Sequence, residues 1–230
     1  MKLRLYDLAG SESDRRFSPY CWRTRMALAH KGLAFETIPW RFTEKEEIAP
    51  SGQKLVPVLV DRERWISDSW TIANYLEDSY PDSPSLFGGD SARRLTRHYS
   101  SIADSLVGAI FPFVAMDILQ HLADQDRDYF RESREKRVGK PLEAFVADRD
   151  TKLPAFRASL MPLRQTLNAQ PFLGGDEPLY ADYAMFGPFQ WARCISPFQL
   201  LEEGDPVKLW RDGLLDRFGG MARKAVAYDA

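Results

Sequence analysis

Leu3 and Leu5 flank the charged Arg4, and Tyr6 follows; this alternation predicts a short strand at the start of the chain. Residues 35–40, 55–61 and 64–66 predict three more strands, that over 55–61 carrying Pro57 inside its apolar run. Between the first two strands the period lengthens. Trp22, Met26 and Ala29 form a helical stripe, with Ser18 suited to the N-cap, Pro19 to the first turn and Gly32 to the stop. A short helix is expected over 44–48, and Asp68 and Ser69 cap a helix over 70–79 that ends before Pro81. The Pro- and Ser-rich stretch 81–85 reads as a linker. Beyond it every pattern is helical, over 92–117, 124–138, 141–150, 154–168, 180–195 and 205–218, with a turn-rich loop at 172–178. The segment 180–195 is strongly apolar and predicts the core of this half. The chain thus divides into an α/β domain over residues 1–83 and an all-helical bundle over 90–230.

Composition narrows the function. The 230 residues, 44% of them apolar, suffice for a full core. Thirty-one basic and 33 acidic residues give a net charge of -2, which leaves no electrostatic footprint for nucleic acid or an anionic membrane. No unbroken apolar run reaches the roughly 18 residues of a membrane span, and the charged N-terminus does not read as a signal peptide. Cys21 and Cys194 stand far apart and are expected as free thiols in a reducing cytoplasm. His30, His98 and His121 are scattered and no C-x-x-C pair exists, so no metal is expected.

Three short constellations carry candidate chemistry, each with a plainer structural reading beside it. Val56-Pro57 is either an ordinary edge-strand proline or a cis-proline that leaves the Val56 backbone open to a peptide-like ligand. Asp68-Ser69 is either a helix cap alone or an anion site at a helix N-terminus, where Asp68 meets a ligand ammonium. Ser18-Pro19-Tyr20-Cys21 is either a plain cap or a place where the Ser18 hydroxyl and the helix dipole stabilise a thiolate. With serine three residues before Cys21, no dithiol cycle is available.

Taken in order and at this spacing, the three resemble the N-terminal, thioredoxin-like domain of the glutathione transferases. The loop Phe172-Leu173-Gly174-Gly175-Asp176 followed by Tyr180-Ala181-Asp182-Tyr183 is similar to the loop and capped core helix of that family's helical domain. A narrower likeness, to the bacterial β-etherases and a related fungal class, lies in residues 18–25 and 27–32, with Asp126-Arg127-Asp128-Tyr129 and Ser133-Arg134-Glu135 adding to it. The chain departs from the family in two places. Leu179 stands where a hydroxyl residue often completes the capping box of Asp182, which predicts a weaker cap. Leu55 stands where many members carry lysine, with Lys54 and Gln53 just before it.

The resemblance implies glutathione as co-substrate, a small hydrophobic electrophile as second substrate, and a homodimer. Glutathione would lie along Val56-Pro57, reach Asp68 and Ser69 with its γ-glutamyl end, and meet Gln53 and Lys54 from the loop. Ser18 would stabilise its thiolate, which attacks an electrophilic carbon, with aryl ether cleavage as one form. Tyr6 and Cys21 are rival activators. An electrophile pocket is expected from Tyr20, Phe111, Phe113 and Met116, with Trp191 and Phe198 nearby; each is equally readable as core. Two other readings keep the fold: a glutathione-dependent reductase or peroxidase, and a non-catalytic glutathione- or ligand-binding protein. The charged run 124–137 reads as a solvated helix face.

Overall fold

A computed structural model describes residues 2–229. Four strands, β1 (Leu3–Leu8), β2 (Phe35–Trp40), β3 (Val58–Asp61) and β4 (Arg64–Ser67), form one sheet in the order β2-β1-β3-β4. β1 and β2 run parallel, with Leu5 opposite Thr37, and a parallel pair needs a crossover. Helix α1 (Pro19–His30) supplies it. β3 runs antiparallel to both β1 and β4. Helix α2 (Ser69–Ser79) closes this thioredoxin-like unit.

The simple alternation seen in β1 breaks down at its end. Tyr6, Asp7 and Leu8 are all buried, so both faces of the strand are covered. Asp7 is fully buried beside Arg25 (3.4 Å) and Arg16 (3.8 Å). Burial raises its pKa, and the two arginines oppose that rise.

The helical half comprises α3 (Asp90–His121), α4 (Asp124–Val138), α5 (Leu142–Val146), α6 (Arg149–Ser159), α7 (Met161–Ala169), α8 (Tyr180–Ile195) and α9 (Pro206–Gly220). Several sequence-based bounds need correction. The ladder of β3 starts at Val58, so 55–57 is loop. The helix expected over 141–150 is only α5, and the one expected over 154–168 is two helices that meet at Leu160. Pro162 sits in the first turn of the second helix, where its missing N–H costs no hydrogen bond. α3 runs through Pro112 to His121, and it contains one window apolar and long enough to cross a bilayer by composition, which a search for unbroken runs misses. Here Ile110, Val114, Ala115 and Ile118 of that window are buried in the core.

Helix α8 is buried along its whole length. Its start is fixed by Asp182, whose carboxylate accepts the N–H groups of Leu173, Gly174 and Leu179 and the Trp210 indole N–H, at 2.7–3.0 Å. Leu179 offers no side-chain acceptor, and the Asp182 N–H goes to the Leu179 carbonyl instead (2.9 Å). The missing hydroxyl therefore leaves no weak cap, because four donors hold the other half of the box. At Gly187, α8 comes so close to α1 that an added Cβ would stand 2.3 Å from the Pro19 carbonyl oxygen. A side chain at 187 has no room; the glycine lets the core helix press on the residue next to Ser18.

Candidate active site

Ser18 caps α1. Its Oγ accepts the Cys21 N–H at 3.2 Å, while its backbone carbonyl accepts from Trp22 at 3.0 Å. Pro19 has no N–H to satisfy, so the first turn closes without other help. Because the oxygen already accepts from Cys21, the hydroxyl hydrogen is left to point elsewhere. Ser18 is nearly buried, yet it lines a cavity of about 670 Å³ between the sheet domain and the helices. That volume suits a peptide-sized ligand together with a small second molecule.

The cavity gathers most of the sequence-derived site. Gln53, Leu55, Val56 and Pro57 line it from the loop before β3, Asp68 and Ser69 from the start of α2, and Tyr20 from α1. The Val56–Pro57 bond is cis. Val56 precedes the β3 ladder, whose first paired residue is Val58, so its main chain is not committed to the sheet. Asp68 adopts φ of 71° and caps α2 by accepting from the Thr71 N–H at 2.9 Å. The Ser69 carbonyl accepts from the Tyr180 hydroxyl at 2.8 Å, so α8 braces this corner too.

Other expected residues fall elsewhere. Lys54 is exposed and does not line the cavity. Phe111 lines it, stacked on Trp191 with centroids 6.5 Å apart. Phe113 does not: it packs inward on Phe156 and Phe198, at 5.2 and 5.6 Å. Two positions apart on a helix means about 200° around its axis, so the two phenylalanines cannot share a face. Met116 lies five positions from Phe111, likewise off that face, and packs against the core. Tyr6 is absent from the cavity wall and stacks on Trp65 at 5.5 Å. Cys21 is fully buried; burial, with Asp7 close by, holds its thiol well above the ordinary value and so protonated.

The sequence reading missed the face of α4. Phe130, Arg134, Arg137 and Val138 line the cavity. On the same helix Asp126 is fully buried, accepting the N–H groups of Phe42 and Thr43 at 3.0 Å and the Thr43 hydroxyl at 2.8 Å. The run 124–137 is therefore not a simple solvated face. Phe130, Arg134 and Arg137 recur at i, i+4 and i+7, which is the signal that charge density concealed.

Comparisons with known proteins agree with this architecture. Residues 17–79 match the model of the glutathione S-transferase N-terminal domain, and residues 96–224 that of the C-terminal domain. A zeta-class glutathione S-transferase of Euphorbia esula is 31% identical over 129 residues, 54% of this chain; the chain spans about half (53%) of that relative's length. A glutathione transferase of Phanerochaete chrysosporium superposes with a TM-score of 0.83 at 25% identity, covering 93% of this chain and 96% of the other. A glutathione S-transferase of Ceriporiopsis subvermispora, solved in complex with glutathione, gives 0.81 at 24% identity over the whole of both chains.

Proposed function

Since the chain belongs to the glutathione S-transferase family, we propose that it binds glutathione in the cavity at Ser18, ionises its thiol there, and joins the sulfur to an apolar aromatic electrophile. One observation carries the reading. The Ser18 hydroxyl, the uncommitted Val56 main chain and the capped start of α2 all open into the same cavity. A peptide ligand fits that set. Val56 offers an N–H and a C=O for an extended main chain, Ser69 and the α2 N-terminus suit a carboxylate, and Asp68 suits an ammonium. Gln53 supplies a side-chain amide from the loop. Lys54, exposed and off the wall, takes no part in this set.

At Ser18 the oxygen is held by the Cys21 N–H, so the hydroxyl donates to the ligand sulfur. A hydrogen bond to the charged form and the α1 dipole both favour thiolate. The thiol proton passes to solvent. The sulfur then forms a bond to the electrophilic carbon, and the leaving group departs with its electron pair. Tyr20, Phe111 and Trp191 give the second substrate an apolar wall. Cleavage of an aryl ether is the same step with an aryloxide as leaving group, and the etherase-like residues 18–25 favour testing it first. Chain pairing through exposed Leu95 and Ile102, seven apart on one face of α3, would give the family's homodimer in the cytoplasm.

Replacing Ser18 tests the reading. Ser18→Ala should keep glutathione binding by calorimetry and lose about 20- to 30-fold in turnover at neutral pH, the change in thiolate fraction for a two-unit rise in pKa. Ser18→Cys should gain thiol–disulfide exchange. Unchanged turnover in Ser18→Ala would move the activating role to another group, and efficient disulfide reduction by the native protein would favour the reductase alternative.

A further inference from the structure

The cavity holds two cations that the activation of glutathione does not use. Arg134 and Arg137 line it from α4, and neither has a carboxylate within 4.0 Å among the described residues. The guanidinium of Arg134 lies over the rings of Phe130 (4.9 Å) and Phe42 (5.5 Å), and that of Arg137 over Phe111 (5.2 Å). Aromatic faces hold a guanidinium in place but leave its edge N–H donors free. Among the described residues, the one polar partner of Arg134 is the Ser133 hydroxyl at 3.0 Å. Two cations three residues apart on a helix repel each other, and an anion between them would offset that cost.

The acidic groups of the cavity are engaged elsewhere. Asp104 pairs with Arg23 at 2.8 Å, and Asp68 caps α2. Asp104 also precedes Phe111 by seven residues, roughly 10 Å along α3. Burial, with Arg137 adding to it, lowers the pKa of Arg134 to about 10, so it stays cationic at neutral pH. Burial and Asp104 raise the Tyr20 phenol, and the charges of Arg23 and Arg137 oppose them.

We propose that Arg134 and Arg137 form an oxyanion subsite for the second substrate, so that the preferred electrophile is an aromatic compound bearing a carboxylate or similar anion. The proposal rests on the transferase reading for the word electrophile, but the subsite itself is testable without turnover. Trp40 and Trp191 line the cavity and report binding by fluorescence quenching. The probes are 3,5-dinitrobenzoate and its methyl ester, titrated with and without S-methylglutathione, which occupies the tripeptide site without reacting. The native protein should bind the acid about tenfold more tightly than the ester, the worth of one good charge-assisted contact. Arg137→Gln and Arg134→Gln should each abolish most of that preference, Arg137→Lys should keep part of it, and ester binding should not move. Arg137 is exposed enough that its variants will fold even if Arg134→Gln does not. Equal binding of acid and ester, no binding of the acid, or a preference that survives in Arg137→Gln overturns the subsite. A loss of glutathione affinity in the variants with the acid preference intact also overturns it, and assigns the pair to the tripeptide's own carboxylate. Failure of the native protein to bind glutathione sinks the transferase reading alone, because the acid preference is still read without S-methylglutathione.

Discussion

Ser18, Tyr6 and Cys21 are three candidate activators within sixteen residues, and their surroundings separate them. Only Ser18 lines the cavity; Tyr6 is stacked on Trp65 and Cys21 is sealed beneath the first turn of α1. Tyr6→Phe should therefore leave turnover within about twofold of native, since a stacked ring loses only a hydroxyl, and a steady-state assay decides it. A collapse of turnover in Tyr6→Phe would return the role to Tyr6. At this scale the sequence was informative where a residue type has few uses. Ser before Pro at a helix start, and Asp before Ser at another, located the corners of the cavity. It was uninformative for aromatics. Phe111 and Phe113 look alike in a string, and only the rotation of α3 sends one to the cavity and the other to the core.

Among the elements, α8 does most to hold the site. It carries Asp182, braces Ser69 through Tyr180, and meets Pro19 at Gly187. Gly187→Ala should cost about 1–3 kcal/mol by overpacking and should also lower turnover, because the displaced atom belongs to the residue after Ser18. Urea melts and a kinetic assay on the same protein check both; native stability would show that α1 and α8 are less tightly juxtaposed. Asp182→Ala orphans four donors, the buried Trp210 indole and three half-buried backbone N–H groups, and should cost about 3–5 kcal/mol. The apolar run of α8 made it legible as core from sequence. Helix α4 was not, because Asp126 is a charged residue turned inward and Arg134 is half-buried, and the partners of both, Phe42 and Thr43, lie across the domain boundary. The break at Leu160 was also hidden, since the apolar period continues through it.

For the whole molecule, contacts between the two halves set both stability and the site. His30, at the end of α1, bridges to the linker and to α8: its Nε2 lies 2.9 Å from the Ser85 carbonyl and its Nδ1 2.6 Å from the Tyr183 hydroxyl. A carbonyl only accepts, so Nε2 carries the proton and Nδ1 accepts from Tyr183. Burial lowers the His30 pKa, with the Ser85 contact opposing, and burial lowers that of His121 too. The unfolded chain then binds these protons more readily than the folded one, so stability is full above the ordinary histidine value and falls as pH drops through the folded pKa. The urea midpoint should decline between about pH 7.5 and 5.5, and His30→Gln should flatten part of that slope. An identical slope in the variant would remove His30 from the account. None of this coupling was readable from one string, where His30 is a lone histidine near the end of a helix. The order of elements and the two-part architecture were readable, because each rests on local periodicity.

The most direct test of the central claim is the ultraviolet absorbance of glutathione thiolate bound to the protein, titrated from about pH 5 to 9 in the native chain and in Ser18→Ala. The account predicts a native midpoint well below the free thiol's value of about 8.5, and a return toward that value in the variant. Coincident midpoints in the two proteins would contradict it: Ser18 would then shape the cavity without activating the sulfur.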